Sequence, residues 1–331
     1  MSPIQISPAQ DLDVYLSIWE QGVRNLYWAQ EDYLMDLNLS EERAEISANW
    51  AKEGHEFLLA EDEARNPVGV IGYRWSNDGG RIRNWEPVAT SSTNRGEVRN
   101  VLLESSLNNI QEYSCSYCIY RIKHPYDDPE PAKPFLKLYE NAGFSRAQPD
   151  AISLLLDFGE QQFKQNPEID LEIRYWDEFS EQKLVDFSLL AYATTENDVR
   201  IHSYDKAVTN PKVIPKVHEH LRNGVIGPTS PKLWKVGLVD GEPAGFIGSF
   251  ILERAESRRV SVLGPLGVFP EYRRKGVATR LIQLQLRDLQ DMGCHYAYVG
   301  TPHNNTNAIA LYQKTGFQIV DRQILLRKNF E

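Results

Sequence analysis

Two groups of residues in this 331-residue chain have types and spacings that support chemistry. The first is the run Arg273, Arg274, Lys275, Gly276, Val277 and Ala278, with Arg280 just beyond. Glycine lets a backbone bend and come close to a ligand. Alanine two residues later keeps the next turn clear. The first amides of a helix have no partners within it, and the dipole there favours an anion. Four cationic side chains at such a turn describe a pyrophosphate site. The second group is Asn305, Leu311, Tyr312, Gly316 and Phe317, about 40 residues downstream. A phenol titrates near pH ~10, so Tyr312 is the candidate general acid.

These residues need a strand and two helices to hold them. Leu233–Leu238 and Ala244–Leu252 are apolar, β-rich runs around Asp240 and Gly241, a hairpin signal. Val260–Val268 reads as a third strand, broken at Gly264 and Pro265. Val277–Met292 has helical apolar spacing and a stop at Gly293. A strand over His295–Thr301 follows. Asn305 can cap a second helix that runs to Thr315 and closes at Gly316, before a last strand over Ile319–Leu326. Helices are expected in about 176–222. The phosphate turn thus joins a strand to a helix. The fold class is α/β, a mixed (α+β) and mostly antiparallel sheet flanked by helices.

The chain also repeats itself. Residues 138–144 (LYENAGF) match 311–317 (LYQKTGF) at an offset of 173, and 66–72 (NPVGVIG) match 242–248 (EPAGFIG) at 176. Two matches in one order at nearly one offset indicate a duplicated domain. The first copy repeats the plan. Its hairpin covers Phe57–Ala60 and Val68–Trp75, its long helix Val98–Tyr113, its strand Tyr117–Lys123 and its short helix Pro134–Asn141. The polar stretch 160–167 ends in proline, as a linker does. Domains of 1–160 and 161–331 are expected. At its turn the first copy reads Thr93, Asn94, Arg95, Gly96, Glu97 and Val98. Aligned on the glycine, Val98 replaces the small residue and Glu97 brings a negative charge. An acidic, proline-rich loop around Asp127 and Asp128 adds length over the cleft. The first copy is expected to hold no pyrophosphate.

The turn and the downstream tyrosine segment resemble the two signatures of the Gcn5-related N-acetyltransferase (GNAT) family. The resemblance is specific in the second half and degenerate in the first. It implies two tandem acyl-CoA N-acyltransferase domains. It further implies acetyl-CoA as co-substrate along Leu266, Gly267, Val268, Arg273, Arg274, Lys275, Gly276, Val277, Ala278, Thr279, Asn305 and Tyr312. In that family the strand before the turn pairs with the pantetheine arm, the turn's amides hold the pyrophosphate, and the matching tyrosine is a general acid. The amide of Val268 is the expected oxyanion donor. The third strand carries no carboxylate, so the base is sought in the acceptor loop, at Glu196 or Asp198. His202, His218 and His220 receive no role. The expected reaction is acetyl transfer to a primary amine of a small molecule or peptide, by direct attack in a ternary complex. A thiol-cofactor synthase similar to mycothiol acetyltransferase is one subclass. The alternative is a non-catalytic acyl-CoA sensor.

Composition narrows the partners. The net charge is −10, which argues against a general nucleic-acid or anionic-membrane surface. Residues 1–160 hold 14 Lys and Arg against 26 Asp and Glu, a balance of −12, while 161–331 stand at +2. The acidic half favours a cationic acceptor such as a polyamine, an aminoglycoside or a basic peptide. Three cysteines, Cys115, Cys118 and Cys294, make no disulfide framework. Cys115 and Cys118 have the spacing of a redox pair or half a zinc site, but they read better as buried strand thiols, and no metal is expected. No apolar run reaches transmembrane length and the first residues lack signal-peptide features. A cytoplasmic monomer or homodimer is the expectation.

Overall fold

The structure, a computed structural model, describes residues 4–24, 39–76, 79–90, 94–159, 169–192, 209–225, 227–253 and 259–330. It divides into two compact units, Met1–Asp150 with Asp321–Glu331, and Ala151–Val320.

The first unit has a mixed sheet of β1 (Gln5–Pro8), β2 (His55–Glu61), β3 (Pro67–Trp75), β4 (Gly80–Ile82), β6 (Tyr117–Pro125) and the body of β14 (Gln318–Asn329), in that order. β5 (Val88–Ala89) adds to β3, and β7 (Ser145–Arg146) to β14. Its helices are α1 (Leu12–Arg24), α2 (Leu39–Asn49), α3 (Arg95–Glu112) and α4 (Lys133–Asn141). α1 begins where Asp11 accepts bonds from the amides of Asp13 (2.8 Å) and Val14 (3.1 Å), and Tyr15, Leu16, Trp19 and Val23 bury one face.

The second unit orders β8 (Ala151–Asp157), β13 (Tyr296–Pro302), β12 (Arg259–Val268), β11 (Glu242–Glu253), β10 (Trp234–Val239) and β9 (Glu172–Tyr175). Its helices are α5 (Glu181–Ala191), α6 (Ile214–Arg222), α7 (Val277–Asp291) and α8 (Thr306–Lys314). Ser180 caps α5 through the amide of Lys183. α7 buries Val277, Leu281, Ile282, Leu286 and Leu289, each worth roughly 1.5–3 kcal/mol of transfer energy. Gly293 stops it at φ 77°, and the Cys294 amide reaches back to Leu289 at 3.0 Å. A buried polar tie adds register: Lys235 Nζ meets Asp288 at 2.8 Å and Gln285 Oε1 at 2.7 Å, and Gln285 Nε2 meets the Ser249 hydroxyl at 2.7 Å. These bonds fix α7 on β10 and β11.

Three expectations change. A single cut after residue 160 does not reproduce the compact units. Ala151–Asp157, the end of the first copy, lies along β13 over seven register pairs in the second unit. Residues 321–329, the end of the second copy, lie along β6 in the first. Each copy's last strand therefore completes the other copy's unit, and the last strand belongs mostly to unit one. The stretch 160–168 lies outside the described residues. Finally, Gly264 and Pro265 do not break the third strand. They form a bulge, opposed by Gly248 alone between the pairs Ile247–Leu266 and Ser249–Leu263. Proline lacks the ladder donor, and a bulge is where a strand tolerates it. All three cysteines are free and buried. Burial pushes the Cys118 thiol up to about 12, which disfavours the thiolate form at neutral pH.

Candidate active site

β12 and β13 run parallel but pair only at Val260–Tyr296, Ser261–Ala297 and Val262–Tyr298. Beyond Val262, β12 follows β11 and β13 follows β8, so a cleft opens between their C-terminal ends. α7 starts after β12 and α8 after β13, so both helix N-termini sit at this opening, the end of a parallel strand pair where ligands bind.

The register decides what the cleft edge offers. The Phe269 amide donates to Ala244 O at 2.9 Å, so those residues form a bonded pair. Antiparallel pairs alternate, which makes Gly267–Phe246 bonded and Val268–Gly245 and Leu266–Ile247 not. The N–H and C=O groups of Leu266 and Val268 therefore face the cleft, whereas those of Gly267 face β11. Side chains occupy both carbonyls: Tyr192 Oη donates to Leu266 O at 3.0 Å, and Arg273 Nε to Val268 O at 3.2 Å. The edge is left with two N–H donors. Gly267 is needed for another reason, because a Cβ there would meet the Ala191 Cβ at 2.6 Å.

The turn curls tightly. Arg274 has φ 63° and Gly276 φ 86°, two left-handed positions in three residues. No side chain caps α7 and its first turn holds no acid, so its leading amides are available to an anion. Arg274 and Lys275 are exposed. Arg273 is not: its second bond, Nη2 to Ala191 O at 3.0 Å, ties the turn to the end of α5. Its guanidinium braces the site rather than facing a phosphate. Val277 is buried in the core, and Ala278 and Thr279 are half-buried on the first turn of α7.

On the other wall, Asn305 caps α8, accepting from the Ala308 amide at 3.3 Å and donating to Thr301 Oγ1 at 3.2 Å. Tyr312 is buried, edge-on to Phe317 at 5.7 Å. Two polar atoms at this mouth are buried without a partner among the described residues, Arg280 Nε in the first turn of α7 and Asn304 Oδ1 just before α8. A native structure rarely leaves such groups unsatisfied. One donor and one acceptor on opposite walls fit a long, polar, phosphate-bearing ligand such as coenzyme A. Asn304 carried no sequence signal, since only the splay of two strands brings it to the mouth.

Glu196, Asp198 and His202 lie outside the described residues. His218 does not stand alone. Its Nδ1 is 2.6 Å from Glu181 Oε1, and Arg222 takes the other oxygen at 2.5 Å. Burial depresses the His218 pKa against the pull of Glu181, which favours the neutral ring. His218 lines a hollow with Trp176, Trp234, Phe187, Phe246 and Pro265, enclosing about 350 Å³ with its mouth.

The first unit has the same splay, since β4 and β6 pair only at Gly80–Cys118 and Arg81–Ile119. Its cleft is filled. Tyr139, the counterpart of Tyr312, is fully buried, stacked on Tyr120 at 3.9 Å and bonded to Glu86 O at 2.6 Å. The bond from Thr90 N to Val68 O matches that from Phe269 to Ala244, which puts Pro87 at the place of Leu266. One of the two edge donors is thus lost. The long helices show that aligning the copies on Gly96 is off by one. Their buried residues, Val98, Leu102, Leu103, Ser106, Leu107 and Ile110 against Val277, Leu281, Ile282, Gln285, Leu286 and Leu289, all differ by 179. Glu97 therefore stands where Gly276 does, and Arg99 where Ala278 does. Val98 points into the core and does not intrude on the turn.

Residues 207–317 match the Acetyltransferase (GNAT) family. They form a GNAT-family domain. The family places this segment among the acyl-CoA-dependent N-acyltransferases. Solved structures share the fold across both units. A GCN5-related N-acetyltransferase from Sphaerobacter thermophilus superposes with a TM-score of 0.66 at 14% identity, covering 99% of this chain and 97% of that one. A tandem GNAT protein from the clavulanic acid biosynthesis pathway gives 0.57 at 13%, covering 99% and 98%. No curated protein sequence matches the chain. Among the described residues, no helix is long and apolar enough to cross a membrane, and no group of side chains is arranged to hold a metal.

Proposed function

We propose that the second unit transfers the acetyl group of acetyl-CoA to a primary amine. The observation that carries this is the cleft edge, where two strand amides and the uncapped N-terminus of α7 share the opening between β12 and β13, and the helix that carries Tyr312 starts from β13. The amides of Leu266 and Val268 suit the pantetheine arm and the reacting carbonyl. The amides of Arg274 to Ala278, with Arg280, suit the pyrophosphate. Asn305 acts through α8, holding Tyr312 in place.

The chemistry then needs three parts. The neutral amine attacks the thioester carbonyl, forming the C–N bond, and the Val268 amide stabilises the oxyanion. The C–S bond breaks, and Tyr312 gives its proton to the departing thiolate. The amine's proton goes to a base, for which Glu196, in the segment between α5 and α6, remains the candidate. The hollow beside α6 bears on the acceptor. Its wall is aromatic, and Glu181, the carboxylate bonded to the wall's histidine, is already held by His218 and Arg222. This favours an amine with an apolar body over a polyamine.

Thiol release from acetyl-CoA across a panel of amines tests the reading. One or more amines should be turned over, and Tyr312→Phe should slow that turnover by roughly 10- to 10⁴-fold with similar acetyl-CoA affinity, the range for a positioned acid. Tight binding with no turnover on any amine would favour the sensor. Wild-type turnover in Tyr312→Phe would leave the tyrosine a packing role.

A further inference from the structure

The first unit lacks the features of a coenzyme A site, yet it carries an electrostatic anomaly at the equivalent place. Arg95 and Arg99 are one turn apart on α3, on the same side of the helix. The side-chain Nε of each is buried with no hydrogen-bond partner. No carboxylate pairs with either guanidinium among the described residues. The guanidinium carbon of Arg99 lies over the Phe135 ring, 4.5 Å from its centre. Burial, and then the charge of Arg95, lower the Arg99 pKa to about 10. Two like charges, half-buried together without a counter-charge, are costly unless something balances them. This occurs in a half-chain that carries an excess of acids and has many carboxylates to spare.

The 179-residue register sharpens the point. Arg95 and Arg99 correspond to Arg274 and Ala278 of the phosphate turn. The left-handed glycine is gone, so the backbone cradle is gone. Two guanidinium forks stand in its place, and such forks match planar or tetrahedral oxyanions. α3 also starts without a side-chain cap at Asn94. We infer that the first unit binds a small oxyanion, a phosphate or carboxylate group, between Arg95 and Arg99. Tyr120, Tyr139 and Glu86 fill the cleft behind, so the ligand is the anionic end of a small molecule and not a whole coenzyme A. This site does not depend on the activity of the second unit.

The test uses the full chain with ¹⁵N-labelled arginine. The Arg95 and Arg99 Nε–H signals are identified by their loss in Arg95→Gln and Arg99→Gln. Inorganic phosphate and succinate are titrated separately, with sodium chloride at equal ionic strength as the control. Both signals should move saturably with phosphate, succinate or both, and not with chloride. Which anion acts identifies the group. Each substitution should weaken the titration of the remaining signal at least ten-fold. The signals report this site alone, so binding at the second unit's turn does not interfere. Unmoved signals in the wild-type chain, or wild-type affinity in both variants, would overturn the inference.

Discussion

Gly276 and Glu97 occupy one position in two copies and show what a single residue decides. At Gly276 the backbone turns left-handed, which a glycine adopts freely, and α7 is open to an anion. At Glu97 the helix has already begun and a carboxylate sits in its first turn. The glycine and its cations were legible in the sequence. The role of Arg273 was not, because one of the carbonyls it braces is 82 residues away. Glu86 was also silent in the sequence. It is fully buried, its carboxylate accepts from Tyr15 Oη at 2.9 Å, and Arg83 stands 3.9 Å away. Burial is the dominant influence and pushes its pKa up to about 7. The folded chain thus holds this proton more tightly than the unfolded chain. Its stabilising contribution is complete below the ordinary carboxylate range and is lost as pH rises through about 7. Urea midpoints should therefore fall between about pH 5 and pH 8, by roughly 1–3 kcal/mol from this group, and Glu86→Gln should flatten the trend. An unchanged slope in the variant would remove Glu86 as its source.

Periodicity and capping signals in the sequence set the elements of the site. α7 and α8 appear where apolar spacing and Asn305 place them. Gly264 and Pro265 signal a break in the sequence, because both residues weaken a ladder, but β11 accommodates them as a bulge. The bulge matters, since it comes just before the residues whose amides face the cleft. The cap on α8 is testable. Asn305→Ala removes the bond to the Ala308 amide and the one to Thr301, which should cost about 1 kcal/mol of stability. The loss should appear as a lower urea midpoint. No change would mean that water replaces the cap without penalty.

The whole molecule departs most from a linear reading. Ala151–Asp157 and residues 321–329 each carry a short run of consecutive apolar residues, Leu154–Leu156 and Ile324–Leu326, so nothing local says which sheet each joins. The contacts do: one completes the second unit and the other the first. A fragment of residues 161–331 should therefore lack a neighbour for β13 along seven residues. It should show no cooperative thermal unfolding by circular dichroism, whereas the full chain should. A fragment that melts cooperatively would mean that β8 is dispensable. The duplication, legible in two short matches, left one copy with an open cleft and the other with a filled one. We propose one acetyl-CoA site per chain, at the turn around Gly276. Calorimetric titration of the full chain with acetyl-CoA counts the sites. One molecule should bind per chain, and Gly276→Glu, which gives the second unit the residue of the first, should abolish binding. Two molecules per chain, or unchanged affinity in Gly276→Glu, would contradict it.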